Sequence, residues 1–207
     1  MTAAADPAPA PPCAPPAGTR RRGETLEQAI FQAVLDQLQS VGYARLTMEG
    51  VAAGAHTGKA ALYRRWPRKE DLVVDALDHA MPSLAELPDT GDLRDDLLAL
   101  LRRTAAMANS ATGCALRCLL AEVDREHPFA RLLHERVFAP RKQAFRAVLE
   151  RAADRGQVRP DAAGQLVADV GPALVIQRFL AEGPPVPDEY VVSVLDEVVL
   201  PLLRRSA

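Results

Sequence analysis

The sequence has no long apolar run. Its longest unbroken apolar stretches are short, such as Leu97 to Leu101, whereas a membrane-spanning helix needs about 20 apolar residues. No positively charged segment precedes an apolar one near the start, so we expect no secretory signal peptide. These two absences predict a cytoplasmic protein with no membrane partner.

Cysteine and histidine are scarce. The three cysteines, Cys13, Cys114 and Cys118, have no zinc-site spacing, and an odd count suits a reducing compartment. Cys114 and Cys118 are four residues apart on a predicted helix, which is a poor arrangement for an unstrained disulfide. Thiol sensing by this pair stays open as an alternative function. His127 and His134 lie in no dense cluster of ligands, so we predict no metal site.

Sequence signatures of catalysis are also missing. We find no nucleophile motif, no phosphate-binding loop and no paired-carboxylate signature. Glu122 and Asp124 are two residues apart on a helix, so they do not share a face. We therefore predict no catalytic residues, no cofactor and no enzyme, although an all-α enzyme that acquired a basic module remains an alternative.

Positive charge is concentrated in one part of the chain, although the formal net charge is -2. Residues 20–69 hold nine Lys/Arg and four Asp/Glu, a net of +5. The stretch Gly54 to Leu72, "GAHTGKAALYRRWPRKEDL", packs five of these cations beside two aromatic residues. A basic segment on an acidic body indicates a polyanionic partner for that segment alone.

Apolar residues recur at helical spacing along the chain, and no segment alternates as a strand does, so we predict an all-α fold. Residues 1–19 are Ala/Pro-rich and predicted to be disordered. Residues 20–68 are predicted to form a DNA-binding domain of three short helices, and 69–207 a larger helical domain. Within the latter we expect one long helix over 128–155, bent at Pro140, and a last helix over 188–204.

Two short helices joined by "GAHTG" fit a helix-turn-helix, with Thr47 as N-cap of the first. The second helix of such a motif lies in the major groove, and its first residues contact base edges. Gly58 would let the backbone approach DNA, Lys59 would donate to a guanine or a phosphate, and Tyr63 would reach a phosphate while its ring packs inward. The predicted DNA contacts are Arg22, Thr47, Thr57, Gly58, Lys59, Ala60, Tyr63, Arg64 and Lys69.

The segment Thr47 to Leu72, "TMEGVAAGAHTGKAALYRRWPRKEDL", resembles the DNA-binding module of the TetR family of bacterial transcriptional repressors. That pattern is a Thr-capped helix, a turn, a helix ending in Leu-Tyr and an aromatic, and then Lys-Glu/Asp-x-x-Leu/Val. The matching residues here are Thr47, Val51, Ala52, Leu62, Tyr63, Trp66, Lys69 and Leu72.

Three residues of the segment depart from the family pattern. His56 stands where the family turn usually has Gly, which carries a cost if the backbone there is left-handed. Ala61 replaces a Thr or Ser common near the phosphate. Arg68 occupies a place often held by a Ser cap, so we expect the fourth helix to begin without a side-chain cap.

The body has two C-terminal helices with broad apolar surfaces, which could pair with their symmetry mates in a four-helix bundle. The resemblance implies the same homodimer, with an interface that we predict at Leu174, Val191, Val194, Leu195 and Val198. It also implies a small-molecule effector whose binding changes the spacing of the two DNA-binding units. Candidate residues of that pocket are Met107, Cys114, Cys118, Phe138, Phe145 and Gln177.

Together these patterns predict a dimeric DNA-binding transcription regulator, a repressor that binds a palindromic operator and is released by a small ligand. A protein that coats DNA without sequence preference is a further alternative, and it would show steep salt dependence without specificity.

Overall fold

A computed structural model describes residues 24–84, 86–124, 126–158 and 164–203; Arg22 and the predicted tail over 1–19 lie outside them. Every regular element within these ranges is helical, which confirms the predicted all-α fold. No helix among them is both long and apolar enough to cross a membrane. The helices are α1 (Glu24–Ser40), α2 (Met48–Gly54), α3 (Lys59–Arg65), α4 (Lys69–Ala80), α5 (Leu93–Ala108), α6 (Ala111–Glu122), α7 (Pro128–Leu133), α8 (Ala139–Asp154), α9 (Gln165–Glu182), α10 (Asp188–Ser193) and α11 (Leu200–Leu203).

Capping side chains explain where two of the helices begin. The hydroxyl of Thr47 accepts a hydrogen bond from the Gly50 amide at 3.1 Å, so the predicted N-cap of α2 is confirmed. Ser110 accepts from the Gly113 amide at 3.2 Å and caps α6, which begins at Ala111. α4 begins after Arg68 with no side-chain cap, as the sequence comparison indicated.

The predicted long helix over 128–155 is divided. A π-helical segment, His134–Phe138, separates α7 from α8, and Pro140 lies in the first turn of α8. Pro140 has no amide hydrogen to donate, so the helical hydrogen-bond pattern has to change near it. The irregular segment therefore precedes Pro140, where the sequence alone placed a bend at the proline itself.

α1 to α4 and their connections, residues 24–80, form a unit that we call the head. Its core includes Ile30 and Leu38 of α1, Leu62 of α3, and Leu72 and Leu77 of α4, all of them buried. The head thus includes α4, which the sequence-based division placed in the second domain. This core fixes α2 and α3 relative to α1, because both short helices bury side chains in it.

Residues 93–203 form the body, in which α5, α8, α9 and the C-terminal helices surround a second core. A π-helical segment, Val194–Val199, joins α10 to α11 in place of the single uniform helix expected over 188–204. Val191, Val194 and Leu195 are buried in this core. Their predicted place in a dimer interface is wrong, because the apolar stripe that they form packs within one chain. Leu174 and Val198 are only partly buried.

The head is attached to the body by polar contacts as well as by apolar packing. The Ala44 amide donates to the Glu122 carboxylate of α6 at 2.8 Å. Asp75 of α4 accepts from the Trp66 indole at 2.7 Å and from Arg136 at 2.8 Å. Trp66 ends α3 and Arg136 lies in the body, so Asp75 connects the second short helix with the body through α4.

Candidate nucleic-acid interface and body cavity

The turn between α2 and α3 is held by backbone hydrogen bonds. The His56 amide donates to the Ala53 carbonyl at 3.1 Å, and the Thr57 amide donates to the Ala52 carbonyl at 2.9 Å. These two bonds form a Schellman motif, whose C′ residue takes a left-handed backbone. His56 is that residue, with φ of 52°. The position therefore does need the left-handed conformation that the sequence comparison suggested.

Replacing His56 with glycine should stabilise the protein. A left-handed backbone costs a non-glycine residue about 1 kcal/mol, and the greater freedom of glycine in the unfolded chain offsets roughly half of it. We expect His56→Gly to raise the free energy of unfolding by about 0.5 kcal/mol in urea denaturation. The control Ala53→Gly, at an exposed position inside α2, should lower it instead; a loss of stability in both variants would contradict the strain argument.

The first residues of α3 are presented to solvent. Gly58, Lys59, Ala60 and Arg64 are exposed, and Thr57 is half-buried. On the opposite side of α3, Leu62 is fully buried and Trp66 nearly so, with the Trp66 ring edge-to-face against Phe31 at 5.7 Å. We call residues 57–60 with Tyr63 and Arg64 the α3 face. A buried underside and an exposed face give the geometry that a recognition helix needs to enter a groove.

Lys59 has an acidic neighbour that the sequence pattern did not reveal. Its ammonium forms an ion pair with Glu49 of α2, and this contact lowers the pKa of the Glu49 carboxyl and raises the pKa of the Lys59 ammonium. Glu49 lies ten positions before Lys59, and only the fold of α2 against α3 brings the two side chains together. Lys59 is therefore held in place above α2 while remaining exposed.

The other cations of the basic segment serve different purposes. Arg65 pairs with Glu27 at 2.7 Å, and Arg68 forms two hydrogen bonds with Asp71 at 2.8 and 2.9 Å. Arg64 has no acidic partner in the described parts of the chain, which leaves its charge available. Two further predicted contacts are the N-cap of α2 and a residue of the α3 face. Thr47 is exposed, with its hydroxyl used in the cap, and Tyr63 is 42% exposed and does not pack its ring inward.

Lys69 is directed into the protein and not toward solvent. Its ammonium donates to the Tyr43 carbonyl at 3.1 Å and lies 4.2 Å from the centre of the Tyr43 ring. These contacts correct the expectation that Lys69 holds a phosphate, because its charge already stabilises the loop before α2. The Tyr43 ring also stacks on Phe129 of the body at 4.8 Å, so this cluster joins α4, the loop and α7.

Tyr43 should contribute a pH-dependent part of the stability. Burial, followed by the hydrogen bond to Glu70 at 2.9 Å and the Glu70 charge, raises the pKa of the Tyr43 phenol above its ordinary value. We expect Tyr43→Phe to lower the free energy of unfolding by about 1–2 kcal/mol near neutral pH.

The difference in free energy of unfolding between wild type and Tyr43→Phe should decrease as the pH rises. The folded protein holds the phenolic proton more tightly than the unfolded chain does, so the contribution is complete below pH about 10 and is lost as the pH rises. Denaturant titrations of wild type and Tyr43→Phe at several pH values measure it. A difference that grows above pH about 10 would contradict the assignment.

The body contains a cavity of about 480 Å³, within the range of about 300–1,000 Å³ of small-molecule sites. Side chains from α5, α6, the segment His134–Phe138, α8 and α9 line it, as do residues that follow α4. Of the six predicted pocket residues, Met107, Phe138 and Phe145 line the cavity, whereas Cys114, Cys118 and Gln177 are not among its lining residues. Cys114 and Cys118 are free thiols on α6, both half-buried.

Within the described residues, no group of three or more His, Cys, Asp or Glu side chains is placed to hold a metal ion. His134 lies at the body cavity, exposed, and His79 packs against the Phe31 ring at 5.0 Å. The His127 ring nitrogen Nδ1 accepts from the Phe129 amide at 3.1 Å, so this side chain caps α7. Two of these histidines thus have roles in packing and helix capping.

Comparison with known proteins extends over both the head and the body. A family model described as "Bacterial regulatory proteins, tetR family" matches residues 30–76, and "Tetracyclin repressor-like, C-terminal domain" matches 87–198. An uncharacterized HTH-type transcriptional regulator of Mycobacterium tuberculosis is 35% identical over 180 residues, 87% of this chain and 89% of its own. The DNA-binding transcriptional repressor TetR of Mycobacteroides abscessus is 34% identical over 187 residues, 90% of this chain and 98% of its own. The crystal structure of the TetR family transcription regulator SCO0332 has a TM-score of 0.66 and 32% identity, over 85% of this chain and 97% of its own.

Proposed function

Because the chain belongs to the TetR family of transcriptional regulators, we propose that it is a dimeric repressor that binds a palindromic operator and is released by a small molecule. DNA binding would place the start of α3 in the major groove, with Thr57, Gly58, Lys59 and Ala60 toward base edges and Tyr63 and Arg64 toward the backbone.

The α3 face is the observation that carries this proposal. Leu62 and Trp66 hold one side of the helix in the head core, so the other side projects as a rigid surface. Lys59 and Arg64 give that surface positive charge next to small, exposed residues that allow a close approach. One of the similar proteins, from Mycobacteroides abscessus, is a repressor, which supports repression of transcription over activation.

Dimerisation is supported by apolar side chains that remain outside the core of one chain. Leu166 of α9 is 79% exposed and Leu202 of α11 is 41% exposed, while Leu174 and Val198 are half-buried. A two-fold dimer through α9 and the C-terminal helices would cover them. It would also present two α3 faces to half-sites about one turn of DNA apart.

Release by a ligand is supported by the position of the body cavity. Met81, Pro82 and Leu84, which directly follow α4, line it together with α5, α6 and α8. A molecule in the cavity would thus touch the connection to the head. It changes DNA binding only if it binds one arrangement of the head more tightly than another.

Selection from random-sequence duplex DNA by the purified protein, at about physiological salt, tests the proposal. We expect the selected sequences to converge on a two-fold symmetric site, bound at least about a thousandfold more tightly than scrambled DNA. Selection that never converges, combined with steep salt dependence, would favour the DNA-coating alternative.

A further inference from the structure

We infer that the body cavity takes an apolar molecule carrying one anionic group, such as a carboxylate, and that Arg103 and Arg141 bind this group. The inference rests on the proposed function in one respect, since it names the class of the small-molecule effector. The cavity, its charges and the binding experiment below do not depend on DNA.

Most of the cavity surface is suited to an apolar body. Leu100 and Met107 of α5, Phe138, Phe145 of α8 and Ile176 of α9 lie around it, and these side chains come from four separate parts of the body. Binding of an apolar group to such a surface is favourable, because it removes apolar area from water. The surface offers few hydrogen-bond partners to a polar ligand. A sugar, with a hydroxyl on almost every carbon, would lose most of its hydrogen bonds to water on this apolar surface.

The charged side chains at the cavity are unbalanced in sign. Three cations line it, Arg103, Arg141 and Lys142, against a single carboxylate, that of Asp169. Lys142 and Asp169 pair with each other at 2.7 Å, which cancels one charge of each sign. Arg103 keeps an unpaired charge at the cavity, and Arg141 pairs with Asp78, which is not among the lining residues.

Neither arginine is fully committed to a partner. Arg103 is exposed and donates to the Glu86 carbonyl at 2.9 Å, so its charge has no carboxylate partner in the described parts of the chain. Arg141 donates to the Val137 carbonyl at 2.7 Å and, through both terminal nitrogens, to one Asp78 oxygen at 3.2 Å, which is long for a hydrogen bond. A carboxylate that reached these guanidinium groups would form charge-assisted hydrogen bonds that a neutral or cationic group cannot form.

The Arg141–Asp78 pair also connects this charge to the head. Asp78 lies in the last turn of α4, and Met81, which follows that helix, lines the cavity. An anion bound to Arg141 would compete with Asp78 for the same guanidinium group. Binding of an anion therefore weakens a contact between body and head, whereas an uncharged apolar molecule leaves it intact.

Isothermal titration of the full-length protein without DNA tests the inference. The probes are dodecanoate, dodecanol and dodecyltrimethylammonium, below their micelle-forming concentrations, and a second set, 2-naphthylacetate and 2-naphthaleneethanol, covers a compact apolar body. We expect the anion of at least one set to bind about tenfold or more tightly than the other probes of that set. Arg103→Gln should remove most of that preference.

Arg103→Gln is the informative variant, because its exposed charge has only a carbonyl partner and its loss should leave the fold intact. Arg146→Gln is the matched control. Arg146 is an exposed arginine of α8 that pairs with Glu150 and does not line the cavity, so its variant should bind the anion as wild type does. Circular dichroism checks that both variants are folded.

Three results would overturn the inference: equal binding of anion and neutral partner in both sets, preference for the cation, or equal loss in Arg103→Gln and Arg146→Gln. None of these three results tests DNA recognition, which the selection experiment measures separately. Conversely, a charge-selective cavity in a protein that selects no DNA sequence would leave this inference standing and refute the proposed repressor.

Discussion

Gly58→Asp should raise the stability of the protein while abolishing most of its DNA binding. Gly58 is the N-cap of α3, with φ of -82° and ψ of 139°, and a side chain added there meets nothing within 4 Å. Aspartate is a better N-cap than glycine, so the free energy of unfolding should rise by roughly a few tenths of a kcal/mol. The same carboxylate would face the phosphates, and like charges brought together at an interface cost several kcal/mol. We expect affinity for the selected duplex to fall at least about a hundredfold.

Gly164→Asp is the matched control for this variant. Gly164 is the exposed N-cap of α9, also without a side-chain cap and with an ordinary backbone of φ -61° and ψ 149°. The Gly164→Asp variant should gain similar stability and keep wild-type DNA affinity. Light scattering checks that its oligomeric state is unchanged. Fluorescence anisotropy with labelled duplex measures the affinities. Retained binding in Gly58→Asp would remove the start of α3 from the interface.

Charges placed on the exposed apolar residues of α9 and α11 should separate the proposed dimer into monomers. Leu166 and Leu202 contribute little to the core of one chain, so the double variant Leu166→Glu, Leu202→Glu should fold as a monomer. A monomer contacts one half-site and loses the effective concentration that links two of them, a factor of about 10²–10⁴. We therefore expect operator affinity to fall at least about a hundredfold.

The control for this variant adds the same charge to another surface. Ala106 of α5 and Gln143 of α8 are exposed, and the double variant Ala106→Glu, Gln143→Glu should remain dimeric. Sedimentation velocity gives the oligomeric state and anisotropy gives the affinity. A monomeric wild type, or a dimer unaffected by the charges on α9 and α11, would contradict the proposed interface.

The sequence was sufficient for the helix ends and the turn of the head because these features have local signals. Thr47 caps the helix that follows it, and His56 has the left-handed backbone that the departure from the family's usual Gly pointed to. Arg68 leaves α4 without a side-chain cap, also as expected. Each of these features depends on residues within a few positions, which a pattern in the sequence can specify.

The errors concern contacts between distant elements. Glu49 reaches Lys59 only after α2 packs against α3, so the sequence did not reveal an acidic partner for Lys59. Lys69 turns toward the Tyr43 carbonyl for the same kind of reason. Val191 and Leu195 looked available for a partner because their helix is apolar over a wide arc, but α5 and α9 cover that arc within one chain. A broad apolar stripe in the sequence does not identify the element that buries it.

The residues that line the cavity were predicted from the sequence only in part. Met107, Phe138 and Phe145 were candidate pocket residues on predicted helices whose apolar residues recur at helical spacing, and the packing of α5 against α8 brings them to one space. The same spacing could not show that Cys114 and Cys118 of α6 lie outside the lining while Leu116 and Leu120 lie within it. A rotation of a helix by a fraction of a turn decides between those pairs, and only tertiary packing sets that rotation.

The most direct test of the central claim is the ratio of affinities of the wild-type protein for the selected palindrome and for a scrambled duplex of equal length and composition. The two titrations use the same buffer at about physiological salt. We predict a ratio of at least about 10³, as expected of a sequence-specific regulator. A ratio near one would contradict recognition of an operator by the α3 face.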